Sequence, residues 1–99
     1  MNKKFTICIP YEGNFKTDEK RHLEEFQFRA NQFYANDLLK LRGVISLNEI
    51  LHIFYCSKNY SYRWGWDLKK HGFVDVKLIR NPTNDHVWYL KFTAFDIVG

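Results

Sequence analysis

Residues 4–9, KFTICI, alternate strictly. Phe5, Ile7 and Ile9 fall on one side and Lys4, Thr6 and Cys8 on the other, the period of a half-buried strand. Pro10 ends this strand or confines it to a sheet edge. YEGNFK reads as a turn or loop. Thr17, followed by Asp18 and Glu19, then supplies an N-cap oxygen and first-turn acids that suit the helix dipole. From that cap Leu23, Phe26, Ala30, Phe33, Tyr34, Leu38 and Leu41 recur every three or four residues. The spacing predicts a helix over 17–42 whose apolar stripe, about five turns long, is the core-facing side. Phe28 and Leu39 lie off the stripe, which calls for a wide buried face or an exposed ring at 28. Gly43 suits the C-terminal cap.

Ser46-Leu-Asn-Glu49 fits a capping box, and Leu47, Ile50, Leu51 and Phe54 behind it predict a second amphipathic helix over 47–55. Residues 56–72, CSKNYSYRWGWDLKKHG, are ambiguous. Tyr and Trp alternate with small or charged residues as far as Gly65, whereas WDLKKHG resembles a last helical turn closed by Gly72, and 61–71 is taken as helical. The C-terminal part alternates again. FVDVKLIR and HVWYLKFTAFDIV flank NPTND, a four- or five-residue hairpin loop, and together give a hairpin over 73–98. Val74, Val76 and Leu78 form one apolar face, and Trp88, Leu90 and Phe92 the other. Because Phe95 and Ile97 have the opposite parity, a bulge is expected at Thr93-Ala94-Phe95.

The expected fold is α+β in a single domain, 1–99, with the long helix and one or two short helices packed on a small, mostly antiparallel sheet formed by 4–9 and the hairpin. At 99 residues only one core is available. An aromatic content of 18% offers more rings than such a core hides, so some should be exposed and a homodimer is plausible; the strand 4–9 is one edge that could pair with a second copy. The net charge of +4 favours acidic partners. It is shared evenly, at eight basic to six acidic residues up to position 45 and seven to five beyond, so neither half is a basic tail. Cys8 and Cys56 lack a CxxC or secreted-framework spacing, which makes reduced thiols the default, although a bridge between them stays open. The apolar run ICIP near the start is too short for a signal h-region and no 18-residue apolar run exists. A cytoplasmic protein that does not engage a membrane is expected.

No chemistry is strongly marked. His22, His52, His71 and His86 are scattered and neither cysteine has a close cysteine partner, so no metal site and no cofactor is expected. Glycine-rich phosphate loops are absent. Asp67 with Asp75-Val-Lys77 loosely mimics the strand-borne carboxylates and lysine of metal-dependent nucleases, but the solvated side of an alternating strand explains the same residues, and the chain is read as non-enzymatic. Binding is better supported. Tyr60, Tyr62, Trp64 and Trp66 offer rings that can stack on bases, at roughly 1–3 kcal/mol per base. Lys58, Arg63, Lys69 and Lys70 offer phosphate or carboxylate contacts. The competing explanation is that some of these rings pack onto the helices while the basic residues solvate a rim. The outward candidates are therefore Lys58, Tyr60, Tyr62, Arg63, Lys69 and Lys70, with Arg80 and Lys91 near the sheet rim. Trp64 and Trp66 are the weakest candidates for the surface.

Two resemblances add expectations. ISLNEILHIFYCSKNYSYRWGWDLKKHGFVDVKLI followed by a hairpin resembles a winged helix-turn-helix. That implies a DNA-binding transcriptional regulator with residues 58–70 in a major groove and NPTND as the wing tip, although Gly65 departs from a recognition helix. FRANQFYANDLLKLRGVISLNEIL, GWDLKKHGFVDVKL and YLKFTAFDIVG together are similar to small uncharacterised proteins of phages and conjugative elements in Gram-positive bacteria. Such proteins come from accessory regions that encode anti-defence inhibitors, anti-CRISPR proteins among them. This resemblance implies a mobile-element binding protein that obstructs a host protein or protein–nucleic acid complex.

Overall fold

The computed structural model of the protein describes residues 4–98 other than 12 and 14. The turn expected over YEGNFK includes both omitted positions and so lies partly outside the described residues. The chain is α+β, and its elements run β1 (Lys4–Tyr11), α1 (Asp18–Arg42), β2 (Val44–Ser46), α2 (Leu47–Ile53), β3 (Trp64–Asp67), α3 (Leu68–His71), β4 (Lys77–Asn81) and β5 (Asn84–Asp96). All pairings are antiparallel, in the order β1-β5-β3-β2, with β4 also on β5. β5 is the spine of the sheet. One of its edges carries β1, in register from Lys4 opposite Phe95 to Tyr11 opposite Trp88. The other carries β4 alongside residues up to Lys91 and β3 beside Phe95 and Asp96. Pro10 is tolerated inside β1 because that strand is an edge.

The caps form as their residues dictate. Thr17 Oγ1 accepts from the Lys20 amide, and Gly43 closes α1 with φ +81°, donating its N–H to the Leu39 carbonyl. At α2 the Glu49 amide donates to Ser46 Oγ while the Ser46 amide donates to Glu49 Oε2, a complete capping box.

Four expectations are corrected. Residues 64–67 are a strand, with helix only from Leu68 to His71, in place of a helix over 61–71. Gly65 explains this. A Cβ at 65 would lie 2.3 Å from the Ile45 carbonyl oxygen, so the glycine lets β2 and β3 close on each other. The hairpin turns on Pro82 and Thr83 alone, with Asn81 opposite Asn84, because Asn81 Oδ1 accepts from both the amide and the hydroxyl of Thr83. No bulge interrupts β5 at 93–95, where the register with β1 is continuous; Phe95 simply faces the other side of the sheet.

The largest correction concerns α1. Its buried residues are Phe28, Asn31, Ala35 and Leu39, and of the expected core stripe only Leu38 packs against the core. Leu23, Phe26, Phe33, Tyr34 and Leu41 are exposed. Amides hold the helix in this rotation. Asn36 Oδ1 accepts from the Val74 amide at 2.8 Å while Asn36 Nδ2 donates to the Val74 carbonyl, and Gln32 Oε1 accepts from the Val76 amide at 2.6 Å. These side chains act as a substitute strand for residues 74–76, whose valines are buried. An unpaired buried amide costs about 1–3 kcal/mol, and turning the apolar stripe inward would orphan this backbone. Phe28 then meets Phe54 of the α2 C-cap, ring to ring at 5.4 Å. Trp66 meets Phe92 at 6.1 Å, and Phe15 stacks on Trp88 at 4.6 Å. The helices thus cover the face of the sheet bearing Ile7, Ile9, Leu90, Phe92 and Ala94.

Candidate functional site

The opposite face of the sheet is open. Strand alternation brings Lys4, Thr6 and Cys8 of β1, Lys91, Thr93 and Phe95 of β5, and Lys77 and Ile79 of β4 to one surface. Lys77 stands directly across from Lys91, which also faces Cys8. Among the described residues no carboxylate forms an ion pair with either lysine. Like charges in directly opposed positions destabilise a sheet.

Beside this pair the sheet is notched. β4 covers one edge of β5 only as far as Lys91, and β3 rejoins it at Phe95, leaving the edge between them free. α3 and residues 72–76 bridge the gap and frame a cleft of about 580 Å³ whose walls include His71, Phe73, Asp75, Lys77, Lys91 and Phe95. His71 lies flat on Phe95, centroids 4.2 Å apart and planes within 4°. Its Nδ1 accepts a hydrogen bond from the Asp67 amide. Phe73 is half exposed, with the Lys40 ammonium 5.7 Å from its ring centre.

The segment 58–70 is dispersed rather than gathered into one patch. Lys58 and Tyr62 are exposed in the connection from α2 to β3. Tyr60 is anchored. Asn48 brackets its backbone, accepting from the amide and donating to the carbonyl, and its ring meets Phe5 edge-on, itself stacked on Trp64. Arg63 donates from Nε and Nη2 to the Asp96 carboxylate at 3.0 and 2.6 Å, which raises its pKa further through that bond and the charge behind it. Trp66 is buried. Lys69 and Lys70 are exposed on the turn that carries His71 to the cleft. Arg80, opposite Trp88, has the other parity from Lys77 and projects away from the open face. Of the expected binding residues, Lys91 alone lies at the heart of the cleft. Lys77, His71, Phe73 and Phe95 were missed as binding candidates, although the parity that Lys77 and Phe95 share with Lys91 is visible in the strand pattern.

Of the three residues in the nuclease-like pattern, Asp75 and Lys77 share the cleft, whereas Asp67 caps α3, its Oδ1 accepting from the Lys69 and Lys70 amides. Among the described residues no three His, Cys, Asp or Glu converge to hold a metal ion, and no helix is long and apolar enough to cross a membrane. Cys8 and Cys56 are free thiols.

Fold and surface together define a two-layer α+β protein with one sheet face covered by helices and one open. No protein-family model matches the chain, and no curated protein or solved structure does so either.

Proposed function

We propose that the protein is a non-enzymatic binding protein that lays its open sheet face on the nucleic-acid surface of a host nucleoprotein complex and so obstructs it. The observation that carries this reading is the opposed Lys77–Lys91 pair on the lip of an aromatic cleft. The pair is unfavourable for the isolated sheet and becomes favourable when a phosphate lies between the two ammonium groups. The His71–Phe95 stack and Phe73 supply flat surfaces beside it, on which unpaired bases can lie at roughly 1–3 kcal/mol each. Lys4, Lys69 and Lys70 add positive charge near the same surface without closing a pocket around a single small molecule. Binding without catalysis is favoured by the engagement of Asp67 in capping α3. The choice of a host complex as the target follows the resemblance to phage and conjugative-element proteins read from the sequence and is part of the proposal.

The test is a pull-down from bacterial lysate, with and without nuclease treatment, using the protein and its Lys77→Glu, Lys91→Glu double variant. The protein should retain a nucleoprotein complex, and the double variant should capture at least ten-fold less of it. Equal capture by both, or capture of nothing by the unmodified protein, would contradict the proposal. Asp75→Ala should leave capture intact and reveal no lost nuclease activity.

A further inference from the structure

We infer that α1 pairs with the α1 of a second copy of this chain, antiparallel, through the stripe that faces away from the sheet. The stripe runs Leu23, Phe26, Ala30 and Phe33, at the alternating three- and four-residue intervals of a helix-pairing seam, with Tyr34 beside it and Leu41 seven residues further on. Its large members are exposed by 64, 73, 73, 55 and 84% for Leu23, Phe26, Phe33, Tyr34 and Leu41. Taking roughly 200 Å² for each such side chain, this amounts to about 700 Å² per copy. Isolated monomers seldom carry apolar patches beyond about 300–600 Å², and a standard interface covers about 800 Å² on each partner.

The sequence of the helix specifies a copy of itself as the occupant. Residues 18–25 contain four acids, Asp18, Glu19, Glu24 and Glu25, and two bases, Lys20 and Arg21, for a net −2. Residues 37–42 contain Asp37, Lys40 and Arg42, for a net +1. Antiparallel pairing sets the acidic end of each helix on the basic end of the other and opposes the macrodipoles; parallel pairing sets like on like. A two-fold contact must also be self-complementary. Ala30 lies at the middle of the stripe between Phe26 and Phe33, so a two-fold axis there lets the rings of each copy close over the small residue of the other. Glu19 and Asp37 share the helix sector of the stripe, and with the axis at Ala30 they fall opposite Leu41 and Leu23 of the other copy, toward the ends of the seam and away from its Phe26–Phe33 centre. The pairing uses a surface opposite the open sheet face, so it stands independently of the proposed binding activity. It would also aim two basic faces outward in opposite directions.

Sedimentation equilibrium on the full chain, over roughly 1 to 200 µM, tests the inference, a range that brackets the micromolar affinities at the weak end of specific association. A monomer–dimer equilibrium is expected, and Phe26→Ser with Phe33→Ser should leave a folded monomer throughout, with the far-ultraviolet circular dichroism of the parent. Disulfide cross-linking in a Cys8→Ser, Cys56→Ala background fixes the direction independently of that variant. Leu23→Cys mixed with Asp37→Cys should give the mixed dimer, and Leu23→Cys alone should give none. The inference is overturned by a monomer across the whole range, by a dimer unchanged in the double serine variant, or by efficient Leu23→Cys self-linking. A monomer that instead binds phosphatidylglycerol vesicles through the same phenylalanines would also overturn it.

Discussion

At the scale of single residues, small polar and glycine positions determine where the large ones can go. Gly65 separates two tryptophans of the same parity, and its missing Cβ admits the Ile45 carbonyl of the neighbouring strand. Gly65→Ala should therefore destabilise the fold by at least about 2 kcal/mol, the scale of an overpacked core, seen as a lower denaturant midpoint with little change in slope. A parent-like midpoint would show that β2 and β3 tolerate a methyl group between them. Tyr11 illustrates the same local logic in electrostatic terms. Its burial and the Glu24 carboxylate, which accepts its hydroxyl at 3.5 Å, push its pKa up to about 12, so the ring stays neutral at any pH the protein meets.

At the scale of elements, α2 is held by its first turn. Burial disfavours the Glu49 carboxylate, but its bonds to Ser46 and Arg42 outweigh that, and the net effect lowers its pKa. A carboxylate with a depressed folded pKa contributes stability above its unfolded pKa and loses it as pH falls through the folded value. Glu49→Gln keeps an acceptor for the Ser46 amide but cannot titrate. It should be less stable than the parent by roughly 0.5 kcal/mol at neutral pH, since the Arg42 pair is solvent-screened, and the gap should close in acid, below the depressed pKa. Denaturant unfolding at neutral and acid pH checks this, and a constant gap would exclude the charge as its cause. Elements with explicit local signals were legible in the sequence: the alternation of β1 and β5, the Thr17 cap, the Gly43 stop and the Ser46–Glu49 box. The rotation of α1 was not. Its outward side carries the strong Leu/Phe period, while its inward side mixes Phe28, Ala35 and Leu39 with Asn31, Gln32 and Asn36. Amides that pair with a distant backbone look like solvent-facing residues until residues 74–76 are brought beside them. Phe28, Ala35 and Leu39, at i, i+7 and i+11, were the visible trace of this second stripe.

At the scale of the whole molecule, the chain has two unlike faces. The helix layer presents an apolar seam, the open sheet presents lysines and rings, and the core between them is filled by Trp66, Leu90 and their neighbours. The candidate site was only partly legible for the same reason. The stretch 56–72 concentrates aromatic and basic residues in sequence, but folding buries Trp66 and engages Tyr60 and Arg63, so that only Trp66 and His71 of that stretch line the cleft and the rest of its wall comes from residues 73–79 and 91–95. The central claim is that this open face binds nucleic acid through Lys77 and Lys91. Its most direct test is the salt dependence of binding to a fluorescent single-stranded oligonucleotide. Affinity should fall linearly with salt on a log–log plot, and Lys77→Ala with Lys91→Ala should reduce the slope by about 0.7, the share of the one phosphate that the pair no longer neutralises on a single strand. An unchanged slope and affinity in that variant would contradict the account.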